Sequence, residues 1–123
     1  MILKLSLCVA LVALAFSAAP ASAHHGWGGN VDQLSDLTGI VEQGVSLAGP
    51  HATMKLRVED KVWDLTLAPP PATERAGLKE GTIPVGATVT VRGNRNRDPK
   101  RLEMKCVRVT WNGKTFDVYP GRS

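Results

Sequence analysis

HATMKLRVEDKVWDLTL, residues 51–67, decides how the rest of the chain is read. Ala52, Met54, Leu56 and Val58 alternate with Thr53, Lys55, Arg57 and Glu59. Successive side chains of an extended chain point to opposite faces, so this pattern is a strand with one apolar and one polar side. Glu59-Asp60-Lys61 makes a tight polar turn, and Trp63, Leu65 and Leu67 then alternate with Asp64 and Thr66. The stretch is a hairpin that buries a single face.

Upstream, Leu34 to Leu47 carries Leu37, Val41 and Val45, while Gly39 and Gly44 argue against a helix. This predicts a first strand, curved or bulged at a glycine, that ends at the Gly49-Pro50 break. Downstream, Pro69-Pro70-Pro71 stops the hairpin. A short helix is predicted over Ala72 to Leu78, with Thr73 as its cap and Gly81 beyond its end. After the Pro84-Val85-Gly86 turn, Ala87, Val89 and Val91 alternate with Thr88, Thr90 and Arg92 as strand four. Gly93 to Lys100 reads as a polar loop. Arg101 to Trp111 reads as strand five, with a change of phase: Leu102, Met104 and Cys106 share one face, and Val107, Val109 and Trp111 the other. A bulge near Cys106 reconciles the two halves. Asn112-Gly113 is the strongest hairpin signal in the chain and leads into a last short strand, Lys114 to Tyr119.

A three-strand meander, a helix, two more strands and a terminal hairpin arm is the order of a small OB-like barrel of five to six strands. The expected class is all-β with one short helix. Closing the sheet buries a one-sided apolar face without leaving edges. The alternative, an open sandwich, is disfavoured by the helix-like interruption after strand three.

Residues 1–23 have the form of a secretory signal peptide: Lys4, an apolar run from Leu5 to Phe16, and an Ala21-Ser22-Ala23 cleavage site. The apolar run is too short to span a bilayer, and no later segment approaches that length. Cleavage after Ala23 leaves 100 of the 123 residues, enough for one domain with a modest core. Residues 24–33, rich in Gly and His, are expected to form a mobile arm, and residues 34–123 a single monomeric barrel domain. Loss of Lys4 lowers the net charge from +4 to +3, mildly basic. Cys8 leaves with the signal, so Cys106 has no partner for an intramolecular disulfide and, lying within a strand, is expected to be buried.

Cleavage makes His24 the first residue, with His25 next. A terminal histidine presents its amine and its imidazole Nδ1 to one cation, and His51 can supply a further nitrogen. Nitrogen ligands in a planar set suit Cu(II), so copper is the expected metal, with ligands His24, His51 and His25; Zn(II), using the same ligands and a water in tetrahedral geometry, is the alternative. Separately, Arg92, Arg95, Arg97, Lys100 and Arg101 crowd the turn between strands four and five. Arginine suits bidentate contacts with phosphate or carboxylate, which points to an anionic envelope polymer or a protein partner. Nucleic acid is not expected, because exposed aromatics are few and export removes the protein from it. No nucleophile elbow, zinc-protease helix or phosphate loop occurs, and no enzymatic activity is expected. Asp64 and Glu103 are conceivable as a carboxylate pair but read better as solvent-facing strand charges, and Met54 and Met104, potential soft ligands for Cu(I), read better as core.

Ala23-His24-His25, Gly39, Pro50-His51, Trp63, Pro69 followed by Arg75-Ala76-Gly77-Leu78, and Gly86 with Val89 before Arg92-Gly93 together resemble a family of small exported bacterial proteins classed only as a domain of unknown function. Members usually carry Asn before the Pro-His pair, where this chain has Gly49. The resemblance implies export to the periplasm and a small barrel-like domain, with no assigned activity, cofactor or catalytic residue.

Overall fold

A computed structural model describes residues 27–122. It contains β1 (Asn30–Ser46), β2 (Thr53–Val58), β3 (Lys61–Thr66), α1 (Pro70–Arg75), β4 (Thr88–Asn96), β5 (Glu103–Trp111) and β6 (Lys114–Asp117). The sheet order is β3-β2-β1-β4-β5-β6, and β3 also pairs with β5. That last pairing is parallel, from Asp64↔Glu103 to Thr66↔Lys105, and it closes five strands into a ring with β6 as an appendage of β5. The protein is all-β with one short helix and a small barrel-like sheet.

The alternation of the 51–67 hairpin is what fills the ring. Met54, Leu56 and Leu65 are almost wholly buried, with Val41, Val89, Val91, Met104 and Val109 opposite them. β1 serves two neighbours. Its first half pairs with β4 and its second with β2, and Ile40 is opposite both Thr88 and Arg57. Gly39 stands at this handover, and a Cβ there would run into the carbonyl of Arg57. Further register shifts between Val41 and Ser46 complete the predicted curvature.

The register of β4 with β5 slips between Arg92 and Gly93, leaving Val107 as the extra residue beside Cys106. This is the bulge that the phase change demanded, and it lets Met104, Cys106 and Val109 all face inward. The Val107 carbonyl accepts hydrogen bonds from the amides of Val118 (3.0 Å) and Tyr119 (3.3 Å), tying down the C-terminal segment. Asn112 (φ 52°) and Gly113 (φ 76°) are both left-handed, as a two-residue hairpin of this kind requires.

Several boundaries differ from the sequence reading: β5 starts at Glu103 instead of Arg101 and β6 ends at Asp117 instead of Tyr119, and three larger differences have clear causes. β1 starts at Asn30, within the segment assigned to the arm, because the Asn94 amide holds the backbone of residues 31–33 against β4. β4 continues through Gly93 to Asn96, so most of the expected loop is strand. α1 occupies Pro70–Arg75 instead of Ala72–Leu78. Proline lacks the amide that a first helical turn leaves unused anyway, and Gly77 (φ 106°) turns the chain out. Thr73 is not the cap. It lies within the helix, fully buried, and its hydroxyl donates to the Ala68 carbonyl at 2.8 Å. Among the described residues, no helix is long and apolar enough to cross a membrane.

Candidate functional site

Trp63 shares the inward face of β3 with Leu65, and Arg95 lies opposite Met104 across the β4–β5 pair, so both side chains point toward the inside of the ring. They sit where the core ends. The Arg95 guanidinium stacks over the Trp63 ring, 5.0 Å from its centroid, and its Nε donates to the Ser35 hydroxyl at 3.1 Å. A guanidinium over an indole face is held by the ring quadrupole and by its flat shape. Around the stack, Val31, Pro99 and Leu102 supply apolar walls, and Arg97 and Arg101 stand beside them. Together these residues line a depression of about 420 Å³ at the mouth of the barrel.

The arginines at this mouth are only loosely neutralised. Arg97 lies 4.0 Å from the Asp32 carboxylate and donates from Nε to the Gly28 carbonyl at 3.3 Å. Arg101 lies 3.5 Å from the Glu103 carboxylate. Both guanidinium groups are mostly exposed, and ion pairs in that setting contribute about 0–1 kcal/mol. An incoming anion therefore displaces little.

The fold thus gathers Arg95, Arg97 and Arg101 and separates them from the other two basic residues of the segment. Arg92 lies on the outer face of β4, 3.0 Å from Asp36 and opposite Arg108, in a different depression. Lys100 is not among the residues that line the mouth, and its backbone amide donates to Asp98 at 3.0 Å. His51 is half-buried just ahead of β2. Among the described residues, no group of three or more His, Cys, Asp and Glu is placed to hold a metal ion. His24, His25 and the cleavage site lie outside the described residues.

Trp63 is the site residue that the sequence reading passed over. The signal was its inward phase, which it shares with Leu65 and Leu67 and which made it look like core. A second depression lies on the outer face of the β3–β5 seam, lined by Asn30, Asp64, Thr66, Asn96, Glu103 and Lys105, with Met104 behind. Asp64 and Glu103, weighed from the sequence as a carboxylate pair and set aside as strand charges, are direct neighbours in the parallel register. Lys55 approaches Asp64 at 3.5 Å, and the Asn96 amide donates to Glu103 at 2.8 Å.

Lys105 is buried, and its ammonium sits 4.6 Å from the Trp27 ring centroid. Arg122 covers the same ring at 4.0 Å, and Tyr119 meets it edge-on at 5.0 Å. Burial, reinforced by the Arg122 charge, pushes the Lys105 amine below its ordinary value. Burial also pushes the Cys106 thiol far up, which leaves it protonated and unreactive.

A family model described as a family of unknown function, DUF6152, matches residues 11–105. No curated protein matches the chain. Among solved structures, it is similar to "Crystal structure of a putative aspartyl-tRNA synthetase from Leishmania major Friedlin", at 17% identity and a TM-score of 0.48. The alignment covers 89% of this chain and 25% of that one, so the chain spans about a quarter of its length.

Proposed function

The chain belongs to the family of unknown function DUF6152, which assigns no activity, and we propose that it is an exported, non-enzymatic binding module that holds an anionic envelope polymer at the barrel mouth. The observation that carries this reading is that Arg95, stacked on the half-buried Trp63, shares one depression with Arg97 and Arg101. In small barrels of this strand order, the face of strands two and three and the loop between strands four and five are where oligosaccharides and oligonucleotides are held. Trp63 comes from strand three, on its inner face at the barrel mouth where the core ends, and Arg97, Pro99 and Arg101 come from that loop. Export, argued from residues 1–23, favours envelope material over nucleic acid. The test is titration of a soluble acidic polysaccharide into the purified protein at low and high salt. Arg95→Ala combined with Arg97→Ala is expected to weaken binding about tenfold or more, and wild-type binding to fall with salt as exposed charges are screened. Unchanged affinity in the double variant refutes the reading.

A copper site at the processed terminus is a second reading, supported by the register of the sheet. Thr53 pairs with Thr66, Thr66 pairs with Lys105, and Lys105 lies under Trp27. Two strand spacings, roughly 10 Å, therefore separate the start of β2 from the strand that carries the Trp27 contact. His51, two positions before Thr53, is the candidate further nitrogen for a terminal amine and imidazole at His24, with His25 adjacent. Cu(II) titration of protein starting at His24 is expected to show tighter binding than protein with one extra N-terminal residue. Equal affinities would remove the amine from the site, and unchanged affinity in His51→Ala would remove His51.

A further inference from the structure

The mouth depression and the seam depression meet. Asn96 lines both, and the Arg101–Glu103 pair at 3.5 Å joins a residue of one to a residue of the other. Anionic groups enter on the far side of this junction. Arg95, Arg97 and Arg101 lie on the mouth side, and Asp64 and Glu103 lie one step over the rim as neighbours in the β3–β5 register, Asp64 paired with Lys55, Glu103 with Arg101, and the Lys105 ammonium turned to the Trp27 ring. A ligand long enough to cross the rim must match that pattern.

Resting on the polymer-binding reading above, we propose that the occupant is a sparsely charged acidic polysaccharide, with a carboxylate held at the arginines and uncharged, hydroxyl-rich sugar units lying over Asp64 and Glu103. A polymer with an anion on every unit would bring negative charge against both carboxylates, and like charges brought face to face oppose binding. A sugar hydroxyl instead donates to a carboxylate and forms a charge-assisted hydrogen bond. Acceptor positions remain for it. An ionised carboxylate offers about four lone-pair sites, and Asp64, with Lys55 at 3.5 Å, keeps its side chain 63% exposed. The Asn30 and Asn96 side chains and the Thr66 hydroxyl add neutral polar partners on the same floor. At the mouth, Val31, Pro99 and Leu102 offer the apolar contact that the faces of sugar rings use.

The test compares two probes of similar length, hyaluronan oligosaccharide, with a carboxylate on alternate sugars, and linear polyphosphate, with a charge on every unit. Each is titrated calorimetrically into the full mature protein at one low salt concentration. The variants are Asp64→Asn with Glu103→Gln, and Arg95→Ala with Arg97→Ala. Both acidic positions face solvent, and the amides keep the shape of the side chains while removing the charge paired with Lys55 and Arg101. Wild type is expected to bind hyaluronan more tightly than polyphosphate. Neutralising the acidic pair is expected to weaken hyaluronan about fivefold or more, the loss of one or two charge-assisted hydrogen bonds, and to tighten polyphosphate. Tightening of both probes, or no change with hyaluronan, overturns the polysaccharide assignment while leaving a general anion surface. No effect of the arginine pair on either probe overturns the underlying reading.

Discussion

Cys106 and Gly93 face each other across the β4–β5 pair, and each is constrained by lack of space. A Cβ on Gly93 would run into the Lys105 carbonyl and lie 2.9 Å from the Cys106 Cα. Neither obstacle is a flexible side-chain end, so the backbone has to move. Gly93→Ala is expected to destabilise the protein by about 2–3 kcal/mol or more, seen as a lower urea midpoint with little change in slope. Cys106 has a different signature. Its folded thiol titrates above the ordinary value of 9.0, so the stability it contributes is fully present below pH 9.0 and declines as pH rises beyond it, because the unfolded chain then releases a proton that the folded chain keeps. Wild type should lose more stability than Cys106→Ala between pH 8 and pH 10, a difference readable from paired urea titrations. Parallel curves would mean that the thiol ionises as freely in the folded state as in the unfolded one.

At the scale of the element, the start of β1 is held by one side chain. The Asn94 Nδ2 donates to the carbonyls of Val31 (3.0 Å), Asp32 (3.1 Å) and Gln33 (3.4 Å), and the Asn30 amide donates to the Asn94 carbonyl at 2.7 Å. Between Asn30↔Asn96 and Leu34↔Asn94 the β1 strand carries extra residues, and Asn94 satisfies the backbone groups that the bulge leaves unpaired. The same device places Val31 at the mouth and Asn30 on the seam. Asn94→Ala should cost about 1–3 kcal/mol. Amide exchange should accelerate at residues 28–34 and stay unchanged in the β2–β3 hairpin, a pattern that exchange mass spectrometry resolves. Uniform acceleration across the sheet would show that Asn94 supports the whole fold rather than this strand. This bulge was illegible in the sequence because its anchor lies about 60 positions away and looks like a loop asparagine. The β5 bulge was legible because a switch of apolar phase within one strand requires it.

For the whole molecule, the short parallel seam decides cooperativity. Leu65 and Met104 are paired at its centre, and both are buried in the single core. Leu65→Ala should cost about 2–5 kcal/mol and lower exchange protection in β5 as well as in β2 and β3, because opening the seam turns a ring into an open sheet. Loss confined to the β2–β3 hairpin would mean that the ring is not one unit. Strand composition, the proline stop, the Asn112-Gly113 turn and the β5 phase change were all readable locally, and the ring could be inferred from element order. The site was readable only in part. Arg95, Arg97 and Arg101 stood out as a basic run, but nothing in their spacing separated them from Arg92 and Lys100.

By itself the sequence determined which residues face inward, where the chain turns and that the sheet should close, because side-chain alternation and turn chemistry act between near neighbours. Only the tertiary structure decided which charges share a surface. The β3–β5 register sets Trp63 near Arg95 and Asp64 beside Glu103, and a slip of one residue would send these side chains to opposite faces. Register between strands distant in the chain is set by packing of the whole core, and no local pattern encodes it.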